Sequence, residues 1–231
     1  MAAEPVAAII QARMGSSRFP GKALAPFAGT TVLQHMLTRL GRVTHPLTLI
    51  VATTGRAEDD AVVDACAEAG VNVFRGSADD VLDRFTACID ALPARPELIL
   101  RICADRPLLC PVLVHELLDA YDDVGRPDYL SNNLPPSYPD GLDLELVRTD
   151  CLDLAHDESR DPYDREHVTP FVYRQPNRFR LAGLVCPFGN FSHVRLALDT
   201  NDDLDRLTAL HARLPNAYDY RDVLTAVELA T

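Results

Sequence analysis

The chain has 231 residues, 47% of them hydrophobic, and 34 acidic side chains against 22 Lys and Arg give a formal net charge of −12. That length and apolar content suit a single α/β domain over residues 1–231, while the acidic balance argues against a surface that tracks nucleic-acid phosphates. No run is apolar enough to span a bilayer, the opening residues lack a secretory signal, and six dispersed cysteines contain no C-x-x-C pair, so a reduced, cytoplasmic protein without a membrane partner is expected.

The run Val6 to Ile10 reads as a β-strand, and the loop after it, Gln11 to Lys22, sets Arg13, Arg18 and Lys22 among Gly15, Ser16 and Ser17. Small residues let an anion approach backbone N–H groups. Guanidinium forks suit bidentate phosphate contacts, and a lysine serves terminal oxygens as a point charge. With Gln11 and Ala12 at its base, the loop is expected to hold a nucleoside triphosphate. It is not a Walker A loop, because five residues separate Gly15 from Gly21 and Ala23 follows Lys22. No G-x-G-x-x-G follows the strand, which leaves a dinucleotide site unsupported.

Further strands are expected at Leu47 to Ala52, Asn72 to Phe74 and Leu98 to Ile102. Helices are expected between them at Thr31 to Leu40, Glu58 to Ala69, Asp79 to Leu92 and Pro111 to Tyr121. This alternation is the pattern of a mainly parallel sheet flanked by helices. Arg75, Gly76 and Ser77 follow the third strand, where backbone and guanidinium could read a pyrimidine edge. Asp79, Asp80 and Asp83 suit the start of a helix, and Arg84 reads as the surface partner of Asp80 one turn away.

Past Tyr129 the regularity weakens into turn chemistry from Asn132 to Gly141. Residues 132–192 are read as an excursion over the site. Within and beyond it, strands are expected at Leu142 to Val147, Phe179 to Val185 and Val194 to Leu198, and helices at His167 to Tyr173, Asp202 to Leu214 and Tyr220 to Leu229.

Asp105 lies just past the fourth expected strand, where a hard divalent cation such as Mg²⁺ would take one or two carboxylates and complete its shell with water and phosphate oxygens. Asp199, at the end of the expected strand Val194 to Leu198, is the second candidate ligand, with helix capping as its competing role. Ligands of open α/β sheets gather at the carboxyl ends of strands, so the basic loop and Asp105 should share one mouth. Tyr138, Asp140, Asp143, Glu166 and His167 are candidate contacts for a polyhydroxylated acceptor, and Glu145 and Arg165 lie in the same polar stretches. The cysteines read as buried small apolar residues.

The stretch Ile10 to Leu24 resembles the nucleotide-binding signature of the cytidylyltransferases that activate sugar acids as CMP-sugars, a group that includes CMP-Kdo and CMP-sialate synthetases. The nearest likeness is to the branch of spore coat polysaccharide biosynthesis protein F. Matching blocks run in order through Val51 to Thr54, Val73 to Phe85, Arg101 to Leu108, Pro139 to Asp143, Glu166 to Pro170 and Arg195 to Asp203. The resemblance implies a three-layer α/β/α fold like that of nucleotide-diphospho-sugar transferases, with a mixed, mainly parallel sheet. It also implies transfer of CMP from CTP, Mg²⁺ on Asp105 and Asp199, catalytic roles for Arg13, Lys22 and Asp105, and a base and ribose pocket at Arg75, Gly76 and Ser77. This chain departs from the pattern at Ala104, where Gly is common, and at Arg106, where a smaller or uncharged residue usually sits. Arg106 could meet a carboxylate or phosphate, so the acceptor is expected to be a small acidic sugar or a phosphate-bearing or phosphonate compound. Homodimer formation is left open.

Overall fold

In chain order, the computed structural model, which describes residues 6–229, runs β1 (Val6–Gln11), β2 (Pro26–Phe27), β3 (Thr30–Thr31), α1 (Val32–Leu40), β4 (Leu47–Thr54), α2 (Asp60–Glu68), β5 (Asn72–Gly76) and α3 (Val81–Asp90). It continues with β6 (Leu98–Cys103), α4 (Pro111–Asp123), β7 (Tyr129–Ser131), β8 (Glu145–Arg148), α5 (Thr149–Glu158), α6 (Pro162–His167), α7 (Pro170–Tyr173), β9 (Leu181–Gly183), α8 (Asn201–His211) and α9 (Tyr220–Glu228). No helix among the described residues is long and apolar enough to cross a membrane.

A seven-stranded sheet carries the order β5-β4-β1-β6-β8-β7-β9. β1 pairs in parallel with β4 on one side and β6 on the other, and β8 is antiparallel to both of its neighbours, β6 and β7. Successive side chains of a strand face opposite ways, and β1 shows the consequence. Ala8 and Ile10 join a core with α1, α4, α8 and α9, whereas Ala7 and Ile9 join one with α3, α5 and α7. The sheet is therefore the middle of three layers, as expected. Because β4 and β6 lie on opposite sides of β1, the connections diverge at its carboxyl end and open the crevice where ligands of such sheets bind.

Local chemistry explains most helix starts. Thr31 caps α1 by accepting from the Gln34 N–H, Asp80 caps α3 through the Asp83 N–H, and Thr200 with Asp203 forms a reciprocal capping box at α8. Pro111 and Pro162 occupy first-turn positions where a missing N–H costs nothing.

Four expectations after Tyr129 need correction. The expected helix His167 to Tyr173 is only α7, from Pro170, because α6 ends at His167 and Val168 takes a φ of 72°, and Pro170 has no N–H to continue α6. The expected strand Val194 to Leu198 is an irregular segment with one bridge, Asp140 to Arg195. Its backbone bonds go to two loops instead: the Leu198 N–H donates to the Asp105 carbonyl at 2.9 Å and the Leu196 N–H to the Asp140 carbonyl at 2.5 Å. The strands expected from Leu142 and Phe179 are shorter, at β8 and β9. Helix α5 had no expectation at all, because its Thr-Asp-Cys-Leu-Asp-Leu stretch follows β8 with no intervening turn signal.

Candidate active site

A cleft of about 650 Å³ opens at the carboxyl ends of β1 and β6, with the Gln11 to Lys22 loop on one wall and the Asp140, Glu166 and Arg195 stretches on the other. The loop folds back on Met14: the Met14 carbonyl accepts from the Ser16 and Gly21 N–H groups, and Gly21 takes a φ of 77° that favours glycine. Its base is tied down by Asp59, a fully buried carboxylate that accepts from the Met14 N–H at 2.6 Å and from the Thr54 hydroxyl. Gln11, Ala12, Arg13, Ser16, Ser17, Arg18 and Lys22 all line the cleft. Gly15 does not, and a Cβ there would meet only the movable end of the exposed Glu58 side chain, 2.8 Å from Oε1.

Lys22 reaches across the cleft floor. Its Nζ donates to Asp105 Oδ2 at 2.7 Å, Asp199 Oδ1 at 3.0 Å and the Leu198 carbonyl at 3.0 Å. Arg18 Nη2 lies 2.9 Å from Asp199 Oδ1, and Arg195 pairs with the other oxygen of Asp199. Burial alone would lower the Lys22 ammonium, but Asp105 and Asp199 outweigh it and hold it above its ordinary value. Burial likewise opposes the charged form of Asp199, and Lys22, Arg18 and Arg195 outweigh it, keeping that carboxyl below the usual range. Asp199 is held from behind, since its N–H donates to Asp203 Oδ2 at 3.0 Å, and Asp203 in turn pairs with Arg195 and Arg206.

Two carboxylates thus converge on one cation. That donor set fits a hard divalent ion, which needs only one or two protein carboxylates when phosphate oxygens and water supply the rest. Among the described residues no three His, Cys, Asp or Glu side chains form a metal cage.

The opposite wall is built on a close approach. Gly141 has a φ of 108°, and a Cβ there would collide with the Leu196 carbonyl carbon and the Ala197 nitrogen, so only glycine brings the Asp140 turn against the Asp199 segment. Asn132 clamps the same turn by accepting from the Leu144 N–H at 2.7 Å and donating to the Leu142 carbonyl at 2.9 Å. Asp140, Asp143, Arg106, Glu166 and His167, the residues expected to contact an acceptor, line the cleft. Arg106 is not a free cation, because Asp143 pairs with it. Glu166 lies 3.9 Å from Arg13, and the His167 ring packs on Tyr163 with centroids 4.3 Å apart.

Other expected site residues fall elsewhere. Tyr138 is buried in the core against Tyr220, with ring centroids 5.7 Å apart, and does not reach the cleft. Arg75 points away, its guanidinium held by Asp60 at 2.5 Å and by the Thr54 and Arg56 carbonyls at 3.0 and 2.7 Å. Gly76 packs on Arg84, and Ser77 accepts from the Asp80 N–H. The strand-end sequence placed this block near the mouth, but its side chains turn outward or into the fold. Arg84 is no surface partner of Asp80 either: it is buried, and Asp80 pairs with Arg165 at 2.6 Å.

The floor holds a network that sequence reasoning missed. Arg101 and Glu145 form an ion pair whose side chains are 9% and 14% exposed. Glu145 Oε1 also accepts from the Tyr129 hydroxyl at 2.7 Å and the Thr169 hydroxyl at 2.5 Å, while Arg101 Nε donates to Gln11 Oε1 at 3.2 Å. Burial would raise the Glu145 carboxyl, but Arg101 and the two hydroxyls hold it below its usual value. The signal was present: an arginine inside the buried strand Leu98-Ile99-Leu100-Arg101-Ile102 requires a partner.

Comparison with known proteins agrees with this geometry. The family model described as cytidylyltransferase matches residues 7–223. Spore coat polysaccharide biosynthesis protein SpsF of Bacillus subtilis is 32% identical over 212 residues, covering 89% of this chain and 85% of SpsF. A 3-deoxy-manno-octulosonate cytidylyltransferase of Anaeromyxobacter dehalogenans is 31% identical over 206 residues, covering 89% of this chain and 77% of that enzyme. The solved structure of a cytidylyltransferase from Leptospira borgpetersenii superposes with a TM-score of 0.89 at 29% identity, over 98% of this chain and 95% of that one. The match spans both walls of the cleft and the strands beneath them, and on it the chain belongs to the cytidylyltransferase family.

Proposed function

We propose that the protein transfers CMP from CTP to an oxygen of a sugar acid or related polyhydroxylated acceptor, for assembly of a surface polysaccharide. The products are the CMP-linked acceptor, pyrophosphate and a proton. One observation carries the reading: the loop cations Lys22 and Arg18 meet the carboxylates Asp105 and Asp199 at the mouth between β1 and β6. When a triphosphate enters, Lys22 and Arg18 exchange carboxylate oxygens for phosphate oxygens, and Asp105 and Asp199 are the residues that would hold a divalent cation, Mg²⁺ being the expected one. That cation would supply charge neutralisation at the α-phosphate and lower the pKa of the attacking hydroxyl. As the acceptor oxygen bonds to the α-phosphorus, the bond to the β-phosphate oxygen breaks, and Arg13, Arg18 and Lys22 stabilise the charge that grows on pyrophosphate. The excursion at 132–192 brings Asp140, Glu166 and His167 to the acceptor and holds it in line with the leaving group.

A phosphate-bearing or phosphonate acceptor is less well served. Its expected partner Arg106 is already neutralised by Asp143.

Pyrophosphate release from CTP, UTP, ATP and GTP, each assayed with a divalent metal and a panel of acidic sugars, tests the reaction. CTP is expected to lead UTP by roughly ten- to a hundredfold, since each buried polar group left unpaired by the wrong base costs about 1–3 kcal/mol. Preference for UTP or a purine nucleotide would overturn the cytidylyl assignment. The loop has its own test. Lys22→Ala should weaken CTP binding far more than CMP binding in calorimetry, and equal losses would place the ammonium away from the terminal phosphates.

A further inference from the structure

Arg106 follows Asp105 in the connection from β6 to α4, and its pairing with Asp143 leaves part of the guanidinium unused. The side chains of the pair are 17% and 9% exposed. Nη1 donates to both the Asp143 carboxylate and the Asp143 carbonyl, the latter at 3.2 Å, and Asp143 Oδ2 also accepts from the Gly141 N–H at 3.1 Å. Nε serves neither. It is buried without an acceptor and lies 3.9 Å from Asp105 Oδ1, about 1 Å short of a hydrogen bond. A buried donor left unmade costs free energy, and an ion pair with Asp143 alone would not need it, since a lysine ammonium could supply that charge.

Asp105 is satisfied from the opposite side. Its Oδ2 accepts from Lys22 Nζ at 2.7 Å and its carbonyl from the Leu198 N–H at 2.9 Å, while among the described residues no donor reaches Oδ1 within hydrogen-bond distance. The proposed reaction takes Lys22 away from this carboxylate and onto phosphate oxygens. A carboxylate that has lost its ammonium is free to turn about its side-chain torsions, and one that must present a chosen oxygen to a cation has to be held by the other. Among the described residues, Arg106 Nε is the unused buried donor beside that oxygen.

We propose that Arg106 is a positioning residue for Asp105: when a triphosphate draws Lys22 off, Arg106 Nε donates to Asp105 Oδ1 and leaves Oδ2 to face the divalent cation, an inference that rests on the CMP-transfer reading above. Asp143 makes this workable. It neutralises the guanidinium, so Asp105 gains a hydrogen-bond donor without a net positive charge set beside the cation. Donors behind a metal-binding side chain fix its orientation, and losing one typically costs about ten- to a hundredfold in metal affinity or activity.

Calorimetry of CTP binding with Mg²⁺ and with a chelator, in the absence of acceptor, reads the effect, because the gain in CTP affinity on adding Mg²⁺ can be compared between variants in the same solution. The melting temperature of each variant is measured alongside. In Arg106→Met the gain is expected to fall about tenfold or more, while CTP binding in chelator changes by less than about twofold. Arg106→Lys keeps a charge for Asp143 but places no donor at the position of Nε, and should lose the gain as well. Arg106→Met combined with Asp143→Asn leaves no uncompensated charge, so its melting temperature should move back toward that of the wild type while the gain stays low. A gain at the wild-type level in folded Arg106→Met overturns the proposal. So does recovery of the gain in Arg106→Lys or in the double variant, either of which would reduce Arg106 to a structural partner of Asp143. Wild-type protein that binds CTP no tighter with Mg²⁺ than in chelator would instead overturn the metal-assisted reading itself, and the proposal with it.

Discussion

Asp105→Asn should lower the rate of pyrophosphate release by about a hundredfold or more while leaving the chain folded. The swap is nearly isosteric, and the backbone role of this residue, acceptance from the Leu198 N–H, is untouched. What disappears is one of the two negative charges that face Lys22. With it goes half of the paired carboxylate set that fits a divalent cation, so the loss should fall on turnover more than on CTP affinity. Steady-state kinetics with a thermal melt of the same sample separates the two effects. Full activity in the variant would remove Asp105 from the chemistry.

Arg101→Met should cost about 3–5 kcal/mol of folding stability, the penalty typical of breaking a buried ion pair from one side. Glu145 would then be left in the sheet floor with only the Tyr129 and Thr169 hydroxyls to stabilise its charge. Urea denaturation checks this, and Arg101→Met combined with Glu145→Gln should recover a large part of the loss, because no uncompensated carboxylate then remains. A single-variant loss below about 1 kcal/mol would mean that water enters and solvates Glu145. Since both side chains line the cleft, the pair also sets the shape of its floor, and the double variant should bind acceptor less well even where stability returns.

Much of the molecule was readable from local sequence. The β-α alternation through Tyr121 and the basic loop after Val6 to Ile10 depend on side chains within a turn or two of one another, so short-range periodicity reports them directly. Asp105 and the loop cations could be assigned to one mouth for the same reason. Each follows a parallel strand, and parallel strands end on the same side of a sheet.

Other features were decided only by contacts distant along the chain. The segment before Asp199 has the apolar alternation of a strand, yet it lies between the Asp105 and Asp140 loops, which satisfy its backbone without a ladder, and only Gly141 permits the approach. Tyr138 carries a polar group that suits a substrate pocket, but the ring is drawn into the core by Tyr220. Arg75 and Arg84 are nine residues apart and chemically alike. Asp60 and the carbonyls of Thr54 and Arg56 hold the first outside the cleft, and helix α3 turns the second into a buried side pocket. Composition and periodicity determine which residues are charged, which elements form and where those elements end. The direction in which a long charged side chain points is set by whichever partners the tertiary fold brings within about 3 Å of it, because an ion or hydrogen bond acts only at that range.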